Sequence, residues 1–97
     1  MASPDIQAIL QPHLGRLLSA RAHPKTICPS EVARALSQGE LKAADATDWR
    51  YLMPTIREML WEMRAHGEVE ILQKGEPIPE EIQLQDVKGP IRARRCV

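Results

Sequence analysis

Arg50, Arg57 and Arg64 recur at intervals of seven residues, and Trp61 stands beside them. Seven residues are close to two helical turns, so on a helix the three guanidinium groups line one flank. A row of fixed positive charges next to an indole face has the chemistry to contact phosphates and to stack on a base, or on another protein's side chains. A second basic set, Lys88, Arg92, Arg94 and Arg95, lies near the C-terminus. A basic strand beside an arginine row would extend a phosphate track. Tyr51 and Thr55, on the other flank of the same helix, add a stacking ring and a hydroxyl. The candidate nucleic-acid-binding residues are therefore Arg50, Tyr51, Thr55, Arg57, Trp61, Arg64, Lys88, Arg92 and Arg94.

Other charges argue the opposite way. Lys and Arg total 13 and Asp and Glu total 13, so the formal net charge is zero, whereas a free-standing nucleic-acid binder usually carries a basic excess. Glu58 and Glu62 on the outward side of the helix would repel a phosphate backbone. Glu76, Glu80, Glu81 and Asp86 make the tip of the C-terminal loop acidic and suit a basic protein instead. Two functional readings stay open: a nucleic-acid-binding (DNA or RNA) or regulatory accessory module, and a protein–protein interaction module using the helix face or the acidic loop tip. In a third, purely structural reading, Arg57 and Arg64 pair with glutamates of the loop or of neighbouring helices while Trp61 packs under the first helix or the hairpin.

Catalysis has little support. His13, His23 and His66 are scattered, with no HExxH pair, nucleophile motif or glycine-rich phosphate cradle. No enzyme, metal, cofactor or small-molecule substrate is expected. Cys28 and Cys96 match no zinc or CxxC spacing and read as two reduced thiols, although a bridge between neighbouring strands would bring them together. The opening MASPDIQAILQPHLGRLL lacks a basic n-region, and no stretch approaches the twenty or so apolar residues of a membrane span, so the expectation is an intracellular protein, cytoplasmic or nuclear.

With 97 residues, the chain has room for one small domain. Helix one is predicted over residues 4–21, capped by Ser3 with Pro4 first and Asp5 in the first turn, and kinked or divided at Pro12. A short strand, Thr26 to Cys28, feeds helix two over residues 29–38, with Cys28 as N-cap, Glu31 completing a capping box and Gly39 ending the helix. After a polar, alanine-rich connection, helix three spans residues 48–66 up to Gly67. On its wheel Leu52, Met63, Ile56, Trp49, Leu60, Met53 and Met59 share one arc, with Trp49 central and predicted to be buried. Residues 68–95 then read as a wing: a strand alternating Val69 and Ile71 with glutamates, a long loop with residues 82–87 as extended chain, and a return strand, PIRARRCV, beside Thr26 to Cys28.

Helix, short strand, helix, helix, strand, loop, strand is the order of a winged helix, an α+β fold with a helix-turn-helix core, a small antiparallel sheet and a long wing hairpin. TICPSEVARAL, WRYLMPTIRE, the HGEVEI turn and KGPIRAR resemble segments of the domain-of-unknown-function family numbered 3253 over about residues 25 to 94, and the combination of WRxLMPxxR with KGPIR is specific. That resemblance implies a winged-helix fold without an established activity.

Overall fold

The computed structural model describes residues 5–23 and 25–96. Helix α1 (Ile6–Ala20) starts at Asp5, whose carboxylate accepts from the Ala8 amide at 3.0 Å, so Asp5 is the N-cap and not a first-turn residue. The cap and first turn expected at Ser3 and Pro4 lie outside the described residues. Pro12 sits inside α1 without dividing it. Leu10, Leu14 and Leu18, four residues apart on one stripe, are buried against the rest of the domain. Burying three such side chains, at about 1.5–3 kcal/mol each, outweighs the roughly 3 kcal/mol that an interior proline costs.

Helix α2 (Pro29–Arg34) begins as predicted. Cys28 is the N-cap, and Glu31 Oε2 accepts from its amide at 2.6 Å. The helix does not reach residue 38. Ser37 instead caps a separate helix, α3 (Gln38–Ala43): Ser37 Oγ accepts from the Glu40 amide at 3.1 Å, and Glu40 Oε1 accepts from the Ser37 amide at 3.0 Å. Two orphan donors are satisfied reciprocally, which makes Gly39 part of a helix start and not a stop. The long third helix also comes in two pieces. Asp48 accepts from the Arg50 amide at 2.7 Å and opens a 3-10 turn, Trp49–Leu52, which leads into α4 (Met53–Ala65). Pro54 falls in the first turn of α4, where its missing N–H is not needed. Gly67, at φ 76°, ends α4 as predicted; its amide donates to Arg64 at 3.0 Å and the Glu68 amide to Met63 at 3.0 Å, the paired bonds of a Schellman cap.

The sheet has three antiparallel strands, β1 (Val69–Gln73), β2 (Glu76–Pro77) and β3 (Arg92–Arg95), in the order β2-β1-β3. Lys74 and Gly75, both at positive φ (53° and 81°), form the two-residue turn between β1 and β2. Ile71 pairs with Ala93, and Ile27 bridges to the other side of Ala93 through bonds of 2.7 and 2.9 Å. The strand at Thr26 to Cys28 is thus one bridge, and Ile27, Val69, Ile71 and Ile91 are all buried beneath the helices. Residues 82–87 are not extended; Leu84–Asp86 is a 3-10 turn. Among the described residues the fold is α+β, with four helices and a small three-stranded antiparallel sheet.

A polar knot joins these parts. Arg21, the C-cap of α1, donates to Glu31 through both terminal nitrogens, at 3.0 and 2.5 Å, and to the Thr26 carbonyl at 2.9 Å. From β3, Arg92 donates to Thr26 Oγ1 at 2.5 Å and lies 3.9 Å from Glu31. The Arg21 guanidinium, helped by the Cys28 amide, holds the Glu31 carboxyl down to about 2 against the opposing effect of burial. Because the unfolded chain binds this proton more readily, the stabilisation is fully present above the ordinary value of 4.5 and is lost as pH falls through about 2. At neutral pH Glu31→Gln is expected to cost roughly 1 kcal/mol, or about 5 °C in Tm, once screening at this partly exposed site is allowed for. Thermal melts of both proteins across acid pH check it: the gap between them narrows below the ordinary carboxylate range, and a gap constant with pH contradicts the assignment.

Candidate functional site

The arginine row of α4 faces a segment of its own chain. After β2, the connector crosses the flank that carries Arg57, Trp61 and Arg64. Arg64 donates to the carbonyls of Pro79 (3.3 Å), Glu80 (3.2 Å) and Ile82 (2.8 Å), and the Trp61 indole N–H donates to Ile82 at 3.3 Å. Both terminal nitrogens of Arg57 donate to the Gly89 carbonyl at 3.3 Å. From β1, Gln73 donates to the Lys88 carbonyl at 2.6 Å. Ile78 and Val87 turn inward and pack against the core, while the Arg64 guanidinium lies over the Trp61 ring, 4.7 Å from its centroid. The connector is therefore a strap clasped to the helix. Its acceptors are backbone carbonyls, not the glutamates that the sequence suggested as partners.

The remaining candidates fall in two other places. At the start of α4, Arg50 pairs with Asp48 at 3.1 Å, Thr55 is half-buried, and Tyr51 is 71% exposed. On β3, Arg92 is tied to Thr26 and Arg94 pairs with Glu70 at 3.3 Å, while Lys88 is exposed on the strap. Six of the nine candidates, Arg50, Arg57, Trp61, Arg64, Arg92 and Arg94, thus hydrogen-bond within the chain. Tyr51, Thr55 and Lys88 make no side-chain hydrogen bond among the described residues.

Trp49, predicted to be buried, is half-buried. One side packs on the core; the ring also meets Arg50 at 4.6 Å and Arg34 of α2 at 5.9 Å from its centroid. Arg34 is exposed and takes part in no ion pair among the described residues. Arg34, Trp49 and Arg50 thus form one cluster at the junction of α2 and α4, and Tyr51 is the next residue along the 3-10 turn. Sequence reasoning missed Arg34, because only the packing of α2 on the 3-10 turn brings it to Trp49.

The histidines do not converge. His13 contacts Glu40 at 2.8 Å and Arg16 at 2.9 Å, tying α3 to α1; His23 is 4.0 Å from Glu70, and His66 caps α4. The Glu40 carboxyl lies below the ordinary carboxylate range, first because the Ser37 amide donates to it and then because of His13. Among the described residues no group of three or more His, Cys, Asp and Glu side chains could hold a metal ion, and no helix is long and apolar enough to cross a membrane. Cys28 and Cys96 are free thiols, the first half-buried and the second exposed.

Four helices, a small antiparallel sheet and a strap clasped by helix arginines describe a compact α+β domain with cationic and aromatic surface clusters. The chain belongs to the family described as protein of unknown function, DUF3253, whose match spans residues 7–96. No curated protein matches the chain.

Arg64→Ala removes three hydrogen bonds to the strap. Amides of residues 78–88 are expected to exchange with solvent roughly tenfold faster, with a smaller effect on the amides of α1, because the strap opens locally. Hydrogen-exchange measurements on both proteins check this, and unchanged exchange in the strap would show that the clasp is not what holds it.

Proposed function

We propose that this domain is a winged-helix binding module without catalytic activity, and that it engages another protein through Arg34, Trp49, Arg50 and Tyr51. In this reading α1, α2 and α4 are the helix-turn-helix core and β1 with β3 the wing, whose loop is folded back as the strap. The observation that carries the proposal is a half-buried tryptophan with two arginines over its ring, followed two residues later by Tyr51, a large ring 71% exposed. Tyr, Trp and Arg are the side chains that dominate protein interfaces, since each offers a large apolar contact together with a polar tip. Arg34 suits a carboxylate on the partner, and Tyr51 an apolar side chain.

A nucleic-acid interface is the second reading, favoured by the same cluster, since rings flanked by guanidinium groups also stack on bases. Against it stand the internal partners of Arg57, Arg64, Arg92 and Arg94 and the zero formal charge. Phosphate affinity needs cations free to neutralise the backbone.

A photo-crosslinking residue in place of Tyr51, introduced in the native host, tests the proposal. The expected result is a discrete, protease-sensitive adduct that is lost with Arg34→Glu and absent when the crosslinker replaces Glu81 on the strap. Tyr51→Ala should weaken the complex tenfold or more and leave stability within about 0.5 kcal/mol. A nuclease-sensitive adduct, or equal crosslinking from position 81, would overturn the reading.

A further inference from the structure

The outer face of the sheet holds a cavity that the helix-end cluster does not use. Strand alternation puts Ile71 and its partner Ala93 on the core side, so Leu72 and its partner Arg92 face outward. Leu72 is nonetheless buried, at 6% exposure, although it stands apart from the main core cluster. It lies in the wall of a cavity of about 590 Å3 between the Lys74–Gly75 turn, the end of the strap and the segment from Thr26 to Cys28. That volume is within the range of about 300–1,000 Å3 in which proteins hold small ligands.

The charges around the cavity are of one sign. Lys74, Lys88 and Arg92 line it, and no Asp or Glu does. Neither lysine takes part in an ion pair among the described residues. The nearest acid to Arg92 is Glu31, at 3.9 Å, and that carboxylate is already held by Arg21. Leu72 and Pro90 supply apolar surface, and the Thr26 hydroxyl accepts from Arg92. Lysines without ion-pair partners above apolar surface are complementary to a molecule with an anionic head and an apolar body.

We propose that this cavity binds a free small molecule of that kind, an amphiphilic carboxylate whose apolar part rests on Leu72 and whose head lies between Lys74 and Lys88. The site is independent of the helix-end cluster, and either reading stands without the other.

Amide NMR titrations with three probes test it: decanoate below its aggregation threshold, decanol, and inorganic phosphate. Decanoate is expected to give saturable shifts at the amides of Leu72, Gln73, Gly75, Gly89 and Arg92, with decanol and phosphate at least about tenfold weaker. Lys74→Glu with Lys88→Glu, both at exposed positions, should weaken decanoate about tenfold or more and leave the spectrum of the core unchanged. The proposal is overturned if decanoate does not move these amides, if decanol or phosphate alone binds as well, or if the double charge reversal leaves decanoate affinity intact.

Discussion

A chain that leaves a sheet for a long connector carries backbone carbonyls outside any regular ladder, and in this protein several of them find side-chain donors on one helix. Arg57, Trp61 and Arg64 are spaced so that α4 presents them along a single flank, and the connector between β2 and β3 lays its carbonyls of Pro79, Glu80, Ile82 and Gly89 against them. A guanidinium group suits this task because it offers several N–H groups in a fixed plane, and one side chain can serve successive residues of an irregular loop. Ile78 and Val87 add apolar anchors. The strap thus has a defined path with almost no regular structure of its own.

The same arrangement decides which charges remain available to a partner. Arg21 and Arg92 converge on Glu31 and Thr26, Arg94 on Glu70, and Arg50 on Asp48, so most guanidinium groups already have acceptors inside the domain. What stays outward includes Arg34 in the cluster where α2 meets α4 and lysines around the cavity on the outer sheet face, while Lys25, Lys42 and Arg95 are exposed elsewhere. Neither the cluster nor the cavity is a continuous basic track, and each combines apolar surface with a few charges, as sites for proteins and small ligands do.

Much of the scaffold was legible from local patterns. Leucines at helical spacing gave α1, Cys28, Pro29 and Glu31 gave the start of α2, Gly67 gave the end of α4, and alternation gave β1 and β3. The bridge from Ile27 to Ala93 was legible as a pairing of two segments with matching apolar faces. The start of α3 is also written in the sequence: Ser37-Gln38-Gly39-Glu40 is a capping box, in which Gly39 lies in a first turn and does not end a helix. The tight turn at Lys74 and Gly75 was obscured because lysine is uncommon at positive φ. The clasp could not be read at all. Its acceptors are main-chain carbonyls, which every residue carries and no sequence pattern marks, so the helical wheel identified the arginine flank but not what covers it. Trp49 shows the related limit, since the wheel gives its direction but not the thinness of the core there.

The account rests on the claim that the arginines of α4 hold the strap and are not offered to phosphates. Titration of the intact protein with mixed duplex and single-stranded DNA and RNA, at about 20 mM and about 200 mM salt, is the most direct measurement of that claim. The account predicts no measurable association at either concentration. Binding at low salt that falls steeply at the higher concentration, and that is further weakened by Arg57→Glu, would contradict it.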